Sequence, residues 1–534
     1  MIYVLLFISV VYLIIKNKKS LHMLQQNLYN ENNRYLKWIK KNKKDAIFSY
    51  DYIVVFMLLL ALIVNNSLFT QCIYVISSLV FIILMFILVS DYREDKKSMK
   101  HDLVITARIK RLIFTMILIN VIPIVLIFIT KVNSLIYILV LSVMISINYF
   151  INLLAKIINT PAEKCVYYYY LSKANKKLKS MNNLKIVGIT GSYGKTSSKN
   201  ILSDILNIKY NALATPKNLN TNYGLMITIN NHLSKFDEIF IAEMGAYKQG
   251  EIKSLCDMVH PKYGILTTIG TAHLESFGSE ENIQKGKFEL IESLPEDGVG
   301  ILNMDDPKQT SYNLKNKCKI IWIGIDNKDA DIYATNIVGT NKGSKFEVVF
   351  KGDKNKYTFE TKLLGKHNIY NILGAIALGR EFGISIDNLI KGVRQVRQIE
   401  HRLELKRIGN FYQIDDAYNS NPVGAKRALE VLAMMNGDRI VVTPGMIELG
   451  EKEEEYNREF GKQIATISKA KYVILVGKKK TKPIYEGLLL NGFKEKNVIL
   501  TNDVKEAYTI INSLKDKKDI YALFENDLPD TYNE

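Results

Sequence analysis

The residues from Gly188 to Ser198 read Gly-Ile-Thr-Gly-Ser-Tyr-Gly-Lys-Thr-Ser-Ser, and types in this order can cradle a polyphosphate. Ahead of them the apolar run from Lys185 to Thr190 predicts a buried strand. Behind them Ser197 to Leu206 predicts a helix with Ile201, Leu202, Ile205 and Leu206 on one face. A glycine-rich turn between strand and helix aims backbone N–H groups and the positive end of the helix dipole at a bound anion. Gly191 and Gly194 let the main chain come close without a Cβ in between. Lys195 is spaced to reach terminal phosphates and the Thr196 hydroxyl to sit on Mg²⁺, with Ser192, Tyr193 and Ser197 completing an ATP-binding loop. The broad pattern G-x-x-x-x-G-K-[ST] wants a glycine at 189, where Ile stands; the narrower T-G-S-x-G-K-T fits throughout residues 190–196.

Two further stretches belong with this loop. Ala214 to Gly224 is an Asn-rich loop suited to fixed polar contacts. Glu238 to Ala246 predicts a buried strand ending at Glu243, and a carboxylate at the end of a core strand beside a phosphate loop is placed to hold Mg²⁺.

The T-G-S-x-G-K-T form resembles the Mur ligases, ATP-dependent amide ligases of cell-wall peptide synthesis, and later segments extend the resemblance in order. Thr215, Asn218 and Asn220 match the family's T-x-G-N-x-N-N loop, used there near the transferred phosphate, with Lys217 where the family usually has Gly. Residues 272–278, A-H-L-E-S-F-G, resemble the D-alanyl-D-alanine-adding branch, which implies a metal-holding role for His273. The resemblance also implies that Lys287, with Lys285 as the fallback, is carbamylated into a metal-binding anion. Gly365 to Asn371 matches G-x-H-N-x-x-N, which lies near the adenine in the family; Asn368 and Asn371 share one helix face. By the same resemblance Arg402 meets ATP across a domain cleft, and Asp416 and Asn421 contact the nucleotide. Lys195, Lys287 and His273 are then the catalytic set, and Thr196, Glu243 and His273 the metal set.

The resemblance covers roughly residues 180–530 and departs from that branch twice. Apolar segments stand where the branch has a soluble domain that grips a sugar nucleotide. The end reads Leu-Phe-Glu-Asn-Asp-Leu-Pro-Asp over 523–530, where the branch has a basic K-G-S turn. Both departures touch substrate recognition and leave the ATP machinery intact.

The chain has 534 residues and a net charge of +18. Residues 1–154 carry 17 Lys and Arg against 7 Asp and Glu, with the basic residues between apolar runs, which points to a membrane surface and not to nucleic acid. Five apolar runs, Met1–Ile15, Ile47–Val64, Leu68–Val89, Leu112–Thr130 and Leu135–Leu154, predict five spanning helices. Nine Lys and Arg fall in residues 16–45 and seven in 90–111, so the positive-inside rule puts the N-terminus outside and everything after residue 155 in the cytoplasm, where ATP is. The first run lacks a basic front, unlike a cleaved signal. The runs carry almost no ionisable residues, which favours an anchor over a channel. The four cysteines show no metal or disulfide spacing.

The expected architecture is an α-helical transmembrane region (1–154), a basic aromatic linker helix (155–184), an α/β P-loop Mur ligase central domain (185–397) and a Rossmann-like C-terminal domain (398–534). The expected activity is ADP-forming carboxylate–amine ligation at the cell membrane, using ATP and Mg²⁺. The expected substrates are a cell-wall peptide precursor, lipid-linked or soluble, and an amino acid or dipeptide. A ligase making poly-γ-glutamate or pseudomurein peptide, and a nucleotide-binding membrane scaffold without turnover, stay open at this point.

Overall fold

The computed structural model describes residues 1–27, 29, 33–97, 102–129, 133–340, 342–417, 422–446, 452–478, 480–514 and 519–526. They divide into two compact units, Met1–Tyr169 and Tyr170–Glu534.

The first unit is helical. Helices Ile2–Gln26, Tyr52–Val64, Ser67–Lys97, Ala107–Ile129, Ser134–Ser146 and the start of Asn148–Lys179 carry the five apolar runs. Leu5, Leu13, Val54, Leu58, Phe81, Leu135 and Ile138 form its buried centre. Phe56, Ile83, Phe86, Phe114 and Leu126 face outward and are exposed, an apolar exterior that lipid can cover. Among the described residues two helices, Ser67–Lys96 and Ala107–Ile127, are long and apolar enough to cross a membrane, and a third is if Ser134–Ser146 and Asn148–Lys179 count as one span bent by 80°. Tyr52–Val64, at 13 residues, covers only about 20 Å of a hydrocarbon core roughly 30 Å thick.

The first apolar run is one end of the 25-residue helix Ile2–Gln26. Lys16 and Lys19, read above as loop charges, are buried against Asp51 and Asp95. The linker expected over 155–184 is not a separate element either, because one helix runs from Asn148 to Lys179. Helical hydrogen bonding carries on past the change from apolar to basic composition, which composition alone read as a boundary.

The second unit holds two sheets. The larger comprises β1 (Lys185–Thr190), β2 (Ala212–Ala214), β3 (Ile239–Glu243), β4 (Tyr263–Leu266), β5 (Val299–Asn303), β6 (Lys319–Gly324), β7 (Ile332–Thr340), β8 (Gly343–Phe350) and β9 (Lys356–Thr361), in the order β2-β3-β1-β4-β5-β6-β7-β8-β9. Pairing is parallel from β2 through β7 and antiparallel across β7, β8 and β9. β3 and β5 are buried at every residue, as parallel strands covered on both faces must be. Along β1 the faces alternate: Val187 and Ile189 join the core with Ile201 and Leu202 of helix Lys195–Leu206, while Gly188 lies against Leu290 of helix Glu280–Glu292. A Cβ on Gly188 would stand 2.5 Å from Leu290 Cδ1, so glycine lets that helix pack close.

The smaller sheet comprises β10 (Glu404–Ile408), β11 (Phe411–Asp416), β12 (Asp438–Thr443), β13 (Tyr472–Val476), β14 (Val498–Thr501) and β15 (Ile520–Glu525), in the order β10-β11-β15-β12-β13-β14, parallel except for β10 with β11. Helices cover both faces. Val441, Leu475 and Leu523 pack with Leu429 on one side, and Ile440, Ile474 and Ala522 with Ala507 on the other. This is the expected α/β P-loop domain followed by a doubly wound one.

Candidate active site

From β1 the chain crosses to β2 and β3 on one side and then to β4 on the other, so the crevice beyond the carboxyl end of β1 is a topological switch point. Register puts Glu243 beside Ile189, and Thr190 beside Leu266, so the loop after β1, the end of β3 and the loop after β4 converge there.

The loop after β1 is clamped by its neighbour. Ser192 N–H donates to the Thr268 carbonyl (2.7 Å), and the Thr267 hydroxyl donates to the Tyr193 carbonyl (2.6 Å). A Cβ on Gly191 would fall 2.0 Å from Thr267 Oγ1, so only glycine fits. Gly194, at φ 81, caps helix Lys195–Leu206 in the left-handed region that glycine enters freely. The Lys195 ammonium folds back on the loop, 2.7 Å from the Gly191 carbonyl and 3.3 Å from that of Ser192. Burial holds its pKa below the ordinary value, with Arg402 adding to this and Glu243 opposing it. A phosphate here would be met by a cation already in place.

Glu243, 2% exposed, is the hub. Its Oε1 accepts from Asn220 Nδ2 (3.0 Å) and from the Thr196 hydroxyl (3.3 Å), and its backbone N–H donates to Thr215 Oγ1 (3.1 Å). Its Oε2 faces the Lys199 ammonium at 3.0 Å. Asn218 is exposed and meets Asn220 through its backbone carbonyl.

His273, at φ 62, meets the Tyr247 ring at a tilt of 60° with ring centroids 4.5 Å apart. Partial burial, then the cations Lys287 and Lys195, keep its imidazole below the usual histidine pKa. Lys287 is 1% exposed; its Nζ reaches the Ala246 carbonyl at 3.3 Å and lies 5.3 Å from the Phe277 ring centre. Burial, with Lys195 adding to it, lowers its pKa to about 7. Lys285 instead forms an exposed pair with Glu281 (2.6 Å) on the far side of its helix.

Asn368 Nδ2 donates to the Leu364 carbonyl (2.8 Å) and Asn371 Nδ2 to Asn368 Oδ1 (3.4 Å). Asn371 Oδ1 would be 3.4 Å from a Cβ on Gly194, so this helix face adjoins the phosphate loop. Asp416 Oδ1 accepts from Leu403 N–H at 3.3 Å; burial pushes its pKa up to about 6 against the pull of Arg402. Ser197 is buried in the first turn of its helix. Asn421 lies outside the described residues, as do residues 527–530 of the acidic end.

Sequence reasoning missed three residues. Lys199 belongs to none of the sequence motifs, although its place one turn after Lys195 is visible in the sequence. His367 is held neutral, down to about 3, by burial and then by Arg427 and Arg402. Arg427, on helix Pro422–Ala433, is also an electrostatic neighbour of Tyr193 and Tyr370, which no spacing in the sequence suggests.

Among the described residues no three His, Cys, Asp or Glu side chains form a closed metal cage. The donor set suits Mg²⁺ none the less, because that ion takes one or two protein oxygens and completes its shell with phosphate and water. Glu243 and Thr196 supply hard oxygens beside the phosphate loop.

The chain matches the Mur ligase middle domain over residues 189–379 and the Mur ligase glutamate ligase domain over residues 401–524. It belongs to the Mur ligase family, with apolar helices ahead of these two domains. It is 34% identical over 285 residues to the UDP-N-acetylmuramoyl-tripeptide–D-alanyl-D-alanine ligase of Bacillus subtilis (strain 168), covering 53% of this chain and 60% of that protein. The enzyme of the same name from Escherichia coli (strain K12) is 32% identical over 296 residues, 55% of this chain and 65% of that one. The structure of MurF ligase from Thermotoga maritima in complex with ADP matches with a TM-score of 0.59 at 25% identity, over 67% of this chain and 80% of that one. The chain thus spans between 60% and 65% of the length of these two curated relatives.

Proposed function

We propose that this protein is a membrane-anchored, ADP-forming ligase that joins a carboxylate of a cell-wall peptide precursor to an amino acid or dipeptide. One observation carries the reading: Lys195, Thr196 and Glu243 converge at the switch point, with His273 and Lys287 as electrostatic neighbours of Lys195. The ADP bound by the Thermotoga maritima relative supports a nucleotide on this loop.

The acceptor carboxylate attacks the γ-phosphorus of ATP, and ADP leaves with the electron pair of the broken P–O bond. Lys195 stabilises the charge that shifts toward the β–γ bridge, and Arg402 meets it from the C-terminal domain. The amine then attacks the acyl phosphate, a proton leaves the nitrogen, and phosphate is expelled as the amide forms. Glu243, Thr196 and His273 would hold Mg²⁺, which neutralises phosphate charge when bound. Asn368, Asn371 and Asp416 flank the nucleotide, and the Thr215–Asn220 loop flanks the transferred phosphate. A lysine with a pKa near 7 is part uncharged at neutral pH, the form that adds to carbon dioxide, so Lys287 is suited to become a carbamate.

The apolar helices hold the ligase at the bilayer, N-terminus outside and both ligase domains in the cytoplasm, where precursor and ATP meet. The test is phosphate release by the detergent-solubilised chain with ATP, Mg²⁺ and paired substrates. Release with a muramyl tripeptide, soluble or lipid-linked, plus D-alanyl-D-alanine is expected. Release only with glutamate chains or pseudomurein peptides would move the product elsewhere, and ATP binding without release on any pair would leave a scaffold.

A further inference from the structure

Helix Lys195–Leu206 carries a second lysine one turn beyond the phosphate-loop lysine, and it is more deeply enclosed than the first. Lys199 is 2% exposed. Its Nζ lies 3.0 Å from Glu243 Oε2 and donates to the Lys217 carbonyl at 2.7 Å. Lys217 sits at φ 48, in the left-handed region, so the carbonyl that Lys199 holds belongs to the residue where the Asn-rich loop turns back. The same loop returns Asn220 Nδ2 to Glu243 Oε1, and the Asn220 carbonyl accepts from Gly245 N–H (2.8 Å). One ammonium therefore ties together three separate pieces: the phosphate-loop helix, the loop after β2 and the carboxylate at the end of β3.

A lysine and a glutamate buried for packing alone are a poor device, since apolar residues of similar volume do as well or better. What the charge pair adds here is direction. Lys199 occupies the side of the carboxylate facing Oε2, and Oε1 is left toward the Thr196 hydroxyl.

We propose that Lys199 is a positioning residue for the metal–nucleotide site. It orients Glu243 so that Oε1 and Thr196 Oγ1 present a preset pair of hard oxygens to a divalent cation, and through Lys217 it fixes the loop that flanks the transferred phosphate. The proposal rests on reading residues 190–196 as a nucleotide site. It makes no contact between Lys199 and substrate, so it concerns metal affinity and not the chemical step.

The test is calorimetric titration of the whole detergent-solubilised chain with ADP, without and with Mg²⁺. In Lys199→Met, ADP alone should bind within about twofold of the unsubstituted chain. The Mg²⁺ concentration that half-saturates the tighter binding should rise about tenfold or more, the usual loss when a group behind a metal ligand is removed. Lys199→Arg keeps the charge but not the single-point geometry, and should give a smaller shift in the same direction while remaining folded. Unchanged or tighter Mg²⁺ dependence in a folded variant would overturn the proposal, because loss of a nearby cation acting only through its charge must favour Mg²⁺. An equal fall in both titrations would also overturn it. If the unsubstituted chain bound neither ADP nor Mg²⁺–ADP, the nucleotide reading itself would fall.

Discussion

Each unit holds a lysine and a carboxylate that are both buried and paired, Lys16 with Asp51 and Lys199 with Glu243, and the two pairs are wired differently. In the helical unit Asp51 is saturated: it accepts from the Tyr12 hydroxyl (2.6 Å), from Ser49 Oγ (2.5 Å) and from Lys16, with the Tyr149 ring centre 5.8 Å from the ammonium. That network closes on itself, joining helix Ile2–Gln26 to the start of helix Tyr52–Val64. In the ligase unit Glu243 meets the Lys199 ammonium on Oε2 and shares Oε1 between Asn220 and the Thr196 hydroxyl, which belongs to the phosphate loop. A closed network of buried charge specifies how helices meet. An open one beside a switch point holds an oxygen ready for something that arrives later.

The comparison breaks most readily at the ligase end. Lys195→Ala should lower turnover by about a thousandfold or more, since it removes the main preorganised cation from phosphoryl transfer. The melting temperature should barely move, because among the described residues the Lys195 ammonium bonds to its own loop's carbonyls. Phosphate release and a thermal melt on the same sample check both halves.

The helical pair should answer the opposite way. Asp51→Ala strands Lys16 in an apolar interior and should cost about 3–5 kcal/mol of stability, with much of it regained in Lys16→Met/Asp51→Leu. Turnover per folded molecule should not change. Unfolding in detergent micelles measures the first, and a drop in specific activity would mean the helical unit does more than anchor.

Lys287 gives a pH signature. Its folded pKa, about 7, lies below the ordinary 10.5, so between these values the unfolded chain binds more protons at this site and stability rises with pH. Below about 7 the full cost of burying the charge is present. Lys287→Met should flatten that part of the stability–pH curve, measured by melts across the window, and should remove any stimulation of turnover by bicarbonate. The smallest effect is expected for Lys285→Ala, whose exposed pair with Glu281 leaves turnover unchanged. A loss equal to that of Lys287→Met would reverse the assignment of the two lysines.

The phosphate loop was legible because its chemistry is contiguous: strand, glycines, lysine and hydroxyl follow one another within residues 185–206. Glu243 was legible because a carboxylate ending an all-apolar strand is conspicuous. Lys199 was not, since its partners are 18 residues away at Lys217 and 44 away at Glu243, and only the order β2-β3-β1 brings them together. Lys16 misled in the other direction. A lysine after an apolar run reads as a loop charge, yet the helix continues for another ten residues and turns it inward. Residues 155–179 are helical as expected, but they continue the helix that begins at Asn148, beyond the apolar composition that signalled it.

Local order along the chain therefore determined the class of protein: the phosphate loop, the sequence of family motifs, and an apolar region ahead of them. Those features depend on residues within one turn or one strand of each other, where backbone geometry alone relates them. Tertiary structure decided which lysine stands behind the Glu243 carboxylate, which is buried near neutrality, and which charges of the helical unit are paired out of reach of water. Desolvation and partner distance set those properties, and both are defined only when segments far apart in sequence pack together.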